Sequence, residues 1–175
     1  TPLYSSAASD VYKRQEYILP ITALFEDDFS LDWLLDLTGL KASIVLSVLE
    51  EERNSGILEK KSAAVYRFSE GQRQEWLKHL SETEKKRLHH KIAEILIREL
   101  PDDKDKPLII AYHLIHVSNG LEGCRWLFRA GEIYTGFFMT EKANICFAHI
   151  LRDLDTQQGE KAVSYTHLTL PTNRE

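Results

Sequence analysis

The sequence predicts a mainly α fold that contains one small β-hairpin and continues into antiparallel helical hairpins. Apolar residues recur at helical spacing over most of the middle of the chain, and the period changes to strand-like alternation once, near residues 57–68. A charged segment with proline at both ends, residues 101–107, separates two helical regions. The chain has 175 residues, 43% hydrophobic and 28% charged, which is enough to bury one core or two small ones.

The two ends of the chain do not continue these patterns. Residues 5–15 and 163–175 show neither helical nor strand periodicity. Both strings resemble translated sequencing-adapter read-through, which recurs at the ends of fragments assembled from environmental DNA, and such additions are left out of fold reasoning. We therefore expect residues 1–15 and 163–175 to be artefacts, and the natural part to be cut from the middle of a larger protein.

Three short helices are predicted at the start of the natural part. The first covers residues 19–25, which place apolar side chains on one face. The second covers residues 31–37, with Ser30 as its N-cap and Gly39 after its last apolar residue. The third covers residues 41–52 and is closed by a turn that ends at Gly56.

A β-hairpin is predicted after these helices. Residues 56–60 and 64–68 are short strands around a turn, and in the second strand Tyr66 and Phe68 share one face. Three helices followed by a small hairpin form the winged-helix arrangement, an elaborated helix-turn-helix. We therefore assign residues 16–80 to a winged-helix domain.

A second helical region is predicted downstream. Residues 81–100 form a connecting helix that begins with a capping box of Ser81 and Glu84. Residues 101–107 form a linker, and helices over residues 108–117, 121–138 and 140–154 follow with short turns between them. Helices of this length and connection predict the start of TPR-like helical repeats at residues 108–154.

Four strings in this region carry a resemblance to a known family: residues 66–68, 88–96, 111–114 and 126–132. They are similar to the winged-helix/TPR junction of STAND-type (AAA-related) bacterial signalling ATPases, which include transcriptional activators with LuxR-type output domains. The resemblance covers most of residues 16–154. It implies a nucleotide-binding module upstream, on which the winged helix docks, and helical repeats that bind a partner or signal.

The resemblance also bears on nucleotide binding. Members of the family often place a nucleotide-facing histidine two residues after the aromatic residue of the second wing strand, and this chain has Glu70 there. The chain contains no GxxxxGK[ST] motif, so it cannot make a phosphate-cradling loop by itself. We expect no cofactor in this fragment, and we expect any ATP or ADP to bind the parent protein.

DNA binding is the obvious function of a winged helix, and the charges argue against it. Lys60, Lys61 and Arg67 are the candidate contacts on the wing, whether to nucleic acid or to another domain. The helix in the recognition position ends in three glutamates, residues 50–52, which would repel a phosphate backbone. The net charge of −5 points the same way, so we do not expect DNA to be the partner.

No catalytic or metal site is predicted. His113 and His116 could share a helical face, but no carboxylate or cysteine is spaced to complete a metal site. Cys124 and Cys146 stand among apolar neighbours and fit a reducing compartment. The large aromatic residues are expected to be core anchors: Trp33, Trp76, Trp126, Phe137 and Phe138.

The sequence therefore predicts a cytoplasmic, non-catalytic regulatory connector of a larger signalling ATPase or transcriptional regulator. No apolar run is long enough to span a membrane. Two alternatives stay open at this point: a DNA-binding winged-helix regulator with a helical effector domain, and a free-standing TPR-like scaffold for protein interaction.

Overall fold

The computed structural model describes residues 3–69 and 71–168, with side chains described for residues 12–69 and 71–156. Over these residues the chain is mainly helical with one small antiparallel sheet, which confirms the predicted fold class. The chain divides into two compact units, Thr1–Ile95 and Leu96–Glu175. The elements are α1 Leu3–Thr22, β1 Phe29–Ser30, α2 Leu31–Thr38, α3 Ala42–Asn54, β2 Leu58–Ser62, β3 Val65–Phe68, α4 Arg73–Leu77, α5 Glu82–Glu99, α6 Lys106–Leu114, α7 Leu121–Gly136 and α8 Thr140–Leu168.

The first helix is longer than the sequence pattern predicts. Helix α1 spans Leu3–Thr22, so the predicted bounds of the first helix, residues 19–25, are wrong at both ends. Periodicity reports a buried face, and among the described side chains of α1 burial begins at Ile18. Helix α8 likewise continues through residues 163–168. The interpretation of residues 1–15 and 163–175 as read-through stays a prediction.

Helix α2 begins and ends where the sequence predicts. The Ser30 hydroxyl accepts a hydrogen bond from the Asp32 backbone N–H at 3.2 Å, which satisfies one of the open donors of the first turn. Gly39 follows the helix in the left-handed conformation, with φ of 66°, and its N–H donates to the Leu35 carbonyl. Both boundaries are therefore set by local residue chemistry.

The sheet has three strands in the order β1-β3-β2, all antiparallel. The predicted hairpin is present, with Leu58 opposite Phe68 and Lys60 opposite Tyr66, and Tyr66 and Phe68 both face inward. Strand β1 is not predicted from the sequence because it has two residues, too few for alternation to appear. It pairs Phe29 with Tyr66. The order α1-β1-α2-α3-β2-β3 gives this unit helices with a hairpin wing.

An aromatic cluster joins the sheet to the helices of the first unit. The Phe29 ring stacks on Tyr66 with centroids 6.3 Å apart, and Phe25 lies 5.7 Å from Phe29 and 5.8 Å from Trp33. Phe29 and Tyr66 have no exposed surface. Aromatic pairs at these separations stabilise a core beyond the area that they bury, which fixes the wing against α1 and α2.

The predicted capping box begins α5. The Glu84 carboxylate accepts from the Ser81 backbone N–H at 2.9 Å, and the Glu84 N–H donates to the Ser81 hydroxyl at 3.3 Å. These reciprocal bonds satisfy donors that the first helical turn leaves open. The buried stripe of α5 includes Leu88, Ile92 and Leu96, at the predicted helical spacing.

The charged segment after α5 has defined local structure. The Asp103 carboxylate accepts from the backbone N–H groups of Asp105 and Lys106, at 2.9 and 3.0 Å, and so satisfies the N–H group of the first residue of the next helix. The Lys106 ammonium donates to the Leu100 carbonyl at 2.9 Å. Helix α6 therefore begins at Lys106, within the predicted linker, and Pro107 occupies its first turn.

Helices α7 and α8 form an antiparallel hairpin. The Asn119 amide donates to the Asp153 carboxylate at 2.8 Å, and the Phe128 and Phe147 ring centroids are 6.0 Å apart. Nearer the turn, the Lys142 ammonium lies 5.6 Å from the Tyr134 ring centroid. Residue numbers rise from Asn119 to Tyr134 while those of the residues they contact on α8 fall from Asp153 to Lys142. The two helices therefore run antiparallel.

Gly131 sets the spacing of this hairpin. A Cβ built on Gly131 would lie 2.6 Å from Phe147 Cε1, so only glycine lets the ring approach the helix backbone this closely. The contact between Gly131 and Phe147 therefore fixes how closely α7 and α8 approach each other.

Candidate functional site

The three cations of the wing are all paired with carboxylates of their own unit. Lys60 Nζ lies 2.6 Å from Glu50 Oε1, and Lys61 Nζ lies 2.6 Å from Glu59 Oε2. Arg67 bonds Asp28 at 2.6 Å and lies 3.6 Å from Asp27. The structure thus places these predicted contact residues on strands β2 and β3 but surrounds them with negative charge, which lowers the positive potential that the wing presents.

Glu50 connects the third helix to the wing. Its carboxylate accepts hydrogen bonds from Lys60 and from the hydroxyl of buried Tyr66, both at 2.6 Å. The bond from Lys60, followed by that from Tyr66, lowers the pKa of Glu50 below its usual value of 4.5. Glu50 raises the pKa of Lys60 in turn. Glu50 and Lys60 therefore stay charged at neutral pH, and their ion pair holds α3 on the hairpin.

The exposed face of α3 offers little to a phosphate backbone. It presents Ser43, Leu46, Ser47 and Glu51, and its exposed cation, Arg53, lies 3.0 Å from the Glu50 carboxylate. The three glutamates at the end of the helix do not act alike. Glu52 is buried, and burial raises the pKa of its carboxyl group, whereas Glu50 is half-buried and Glu51 is exposed. Glu70, where the resembled family often has a nucleotide-facing histidine, lies outside the described residues.

The cysteines are buried in the second unit. Cys124 and Cys146 are free thiols with little exposed surface, as predicted. Burial raises the pKa of both thiols above the usual value of 9.0, so neither is activated as a thiolate nucleophile at neutral pH.

The histidines of the second unit lie close to one another. The Tyr112 ring lies edge-on to His113 and His116, with centroids 5.1 and 5.7 Å away. His149 contacts Arg152, with a nitrogen separation of 2.7 Å. No group of three or more metal-ligating side chains occurs among the residues that the structure describes.

Two of the predicted core aromatics lie on the surface. Phe137 is 61% exposed and Phe138 is 92% exposed, so their assignment as core anchors is wrong. The physical reason is that α7 ends at Gly136, and both residues belong to the turn before α8 instead of a helical face. Phe138 adopts φ of 60°, the left-handed backbone conformation that residues other than glycine and asparagine rarely take. Trp33, Trp76 and Trp126 are half-buried.

An apolar groove of about 400 Å³ lies along the α7–α8 hairpin. We call it the hairpin groove; its lining consists of Leu121, Cys124, Arg125, Phe128, Arg129, Ile150 and Leu154. Its surface is almost wholly carbon, because the two arginines line it with their methylene stems. Leu121 and Phe128 are exposed there, as is Leu151 nearby on α8. Such a patch on a soluble domain marks a binding surface more often than a scattered apolar residue does.

The rim of the hairpin groove carries two cations. Arg129 stacks on Trp126, with its guanidinium carbon 4.9 Å from the ring centroid. Within the described side chains, neither Arg125 nor Arg129 has an ion pair with a carboxylate. The hairpin groove therefore combines an apolar floor with two arginines that form no ion pair with a carboxylate among the described side chains.

A smaller cavity of about 150 Å³ occurs in the first unit, lined in part by Glu16, His79, Glu84 and Arg87. The Glu84 carboxylate there is already used in capping α5. The cavity therefore lies beside the start of α5, and we assign no binding role to it.

No family model, curated protein or solved structure matches this chain. The candidate site consequently depends on the geometry of the described residues. None of the helices over those residues has the length and apolar character needed to cross a membrane.

The hairpin groove is not predicted from the sequence. Leu121, Arg125 and Phe128 do follow helical spacing, which signals one face of α7. The spacing does not show whether that face is covered, because this depends on where α8 packs. Gly131, in the middle of α7, is the signal that another helix approaches there, because the Phe147 ring of α8 occupies the space that a side chain would fill.

Proposed function

We propose that this chain is a non-catalytic regulatory connector that works by docking to protein, in the cytoplasm and within a larger signalling ATPase or transcriptional regulator. The observation that carries the proposal is the contrast between its two surfaces. The wing cations Lys60, Lys61 and Arg67 are already held by carboxylates, whereas the hairpin groove is apolar and open. The hairpin groove is therefore a better candidate than the wing for the surface that binds a partner.

The ion pairs of the wing disfavour DNA for an energetic reason. A phosphate that approached Lys60 or Arg67 would have to displace a carboxylate at 2.6 Å, and that carboxylate would then remain near the phosphate. Sequence-independent affinity for DNA comes from the number of phosphates that lysine and arginine neutralise. A wing with its cations compensated, beside a helix whose exposed Arg53 is also held by Glu50, supplies little of this affinity.

The proposed mechanism is non-covalent. The winged-helix unit docks on an upstream nucleotide-binding module, as the family resemblance implies, and the helical hairpin binds a partner or signal. A partner shifts the equilibrium between two states of the parent protein only to the extent that it binds one state more tightly. The hairpin groove is the surface on this chain through which such differential binding would act.

A DNA titration tests the proposal against the winged-helix alternative. Fluorescence anisotropy of a labelled duplex should show no binding by the full chain, at low salt or at physiological salt, beyond the weak affinity of an acidic protein. Binding that falls steeply as salt rises would contradict the proposal, because a steep slope measures phosphate contacts. Lys60→Gln and Arg67→Gln variants would then identify the wing as the contact.

A further inference from the structure

We propose that the hairpin groove binds an amphipathic helix whose apolar face is flanked by carboxylates. This inference rests on the proposed docking function and names the partner of the same surface. Its basis is the combination of an apolar floor, two rim arginines and the absence of main-chain hydrogen-bonding groups in the groove lining.

The floor of the groove fits the spacing of a helical ligand. Leu121, Cys124 and Phe128 lie on one face of α7, and Ile150 and Leu154 lie four residues apart on the facing side of α8. A volume of about 400 Å³ falls within the range of about 300–1,000 Å³ for ligand sites. Helix-in-groove complexes use apolar anchors at i, i+3 or i+4, and i+7, which repeat at a similar spacing.

The backbone requirements favour a helix over an extended peptide. The groove is lined by side chains of two helices, and almost no polar atoms are exposed in it. An extended peptide would lose water from its N–H and C=O groups without gaining partners, whereas a helix satisfies its own backbone. The exposed strand edge that β-augmentation requires does not occur at this surface.

The rim arginines specify the charge of the ligand. Arg129 lies over the Trp126 ring. Among the described side chains, neither Arg125 nor Arg129 forms an ion pair with a carboxylate. Lys60, Arg67 and Lys85, in contrast, each form an ion pair with a carboxylate. A guanidinium can bind a carboxylate through two parallel hydrogen bonds, so glutamates beside the apolar face of a ligand helix would complete the rim.

A pair of synthetic peptides tests this charge preference. Both peptides would be amphipathic helices of about 18 residues with the same leucine face, long enough to be helical when bound. One carries glutamates beside that face, and the other carries lysines. We expect anisotropy titrations with the full chain to give the glutamate peptide about tenfold tighter binding than the lysine peptide.

A charge reversal on the rim should exchange the preference. Arg125→Glu should weaken the glutamate peptide about fivefold or more and strengthen the lysine peptide, because it replaces attraction by repulsion. Lys104→Glu is the matched control, since Lys104 is exposed in the loop before α6 and does not line the groove. It should change neither affinity. Phe128→Gln, which polarises the floor, should weaken both peptides.

Each contrary result has a distinct meaning. Equal binding of the two peptides would overturn the assigned ligand charge, and binding of neither would overturn the helix as occupant. A groove-dependent dimer in sedimentation velocity, lost in Phe128→Gln, would identify a second copy of the chain as the occupant and overturn the proposal. None of these results is the DNA binding that would contradict the proposed function, so the two failures are distinguishable.

Discussion

Gly131 shows how a single residue sets the geometry of the second unit. The Phe147 ring lies where a side chain at residue 131 would begin, with 2.6 Å between the position of a Cβ and Phe147 Cε1. Gly136, in the last turn of the same helix, has nothing within 4 Å of that position. Close packing therefore requires glycine at residue 131, whereas a side chain at residue 136 would meet no other atoms.

Gly131→Ala should destabilise the chain. Overpacking costs about 1–3 kcal/mol, against a gain of about 1 kcal/mol from the better helix propensity of alanine, so we expect a net loss of about 1 kcal/mol. Urea unfolding at constant m-value measures the change.

Two companion variants make this result interpretable. Gly136→Ala should leave stability unchanged or slightly raised, since its Cβ would meet open space. Adding Phe147→Leu to Gly131→Ala should recover part of the loss by removing the ring. A Gly131→Ala chain as stable as Gly136→Ala would show that the helices do not approach at this point.

At the scale of elements, the wing is fixed to α3 by a charged hydrogen-bond cluster. Glu50 accepts from Lys60 and Tyr66, and Lys60 also lies 5.4 Å from the Tyr66 ring centroid. The cluster uses the charges that a DNA-binding wing would present to phosphates. Its contribution should consequently appear in the pH dependence of stability.

Glu50→Gln should flatten the acid limb of the stability profile. The pKa of Glu50 is lowered by the bond from Lys60 and then by that from Tyr66, so the folded state favours the carboxylate. The unfolded chain binds the proton more readily, so this stabilisation is present above the ordinary pKa of 4.5 and is lost as pH falls below it. Denaturant midpoints between about pH 7 and pH 3 should show wild type and variant converging at acid pH.

Glu51→Gln is the matched control for this profile. Glu51 neighbours Glu50 but is exposed. Its substitution should leave a pH profile parallel to that of the wild type. A Glu50→Gln deficit that stays constant down to pH 3 would show that the cluster does not act through the charge of Glu50.

At the scale of the whole molecule, the sequence predicts what is set locally. The N-cap at Ser30, the left-handed Gly39 and the capping box of Ser81 and Glu84 each depend on residues within a few positions, and the structure has all three. The shared face of Tyr66 and Phe68 is likewise a property of one strand.

What the sequence does not predict depends on distant partners. Strand β1 exists because Phe29 pairs with Tyr66, 37 positions along the chain. Phe137 and Phe138 continue an apolar pattern, but the return of α8 begins two residues later, and so they lie in a turn. The hairpin groove depends on the same return, which brings Ile150 and Leu154 beside Phe128. Fold class is therefore predictable here, while the candidate site needs the packing of two helices.

The most direct test of the docking account is a map of amide chemical shifts in the isotope-labelled chain, titrated separately with a DNA duplex and with the glutamate-flanked helix. We predict that the helix perturbs residues 121–129 and 150–154, the segments that contain the lining of the hairpin groove, and that the duplex leaves α3 and the wing unchanged. Perturbation of α3 and of residues 58–68 by the duplex, with no change along the hairpin groove on adding the helix, would contradict the account.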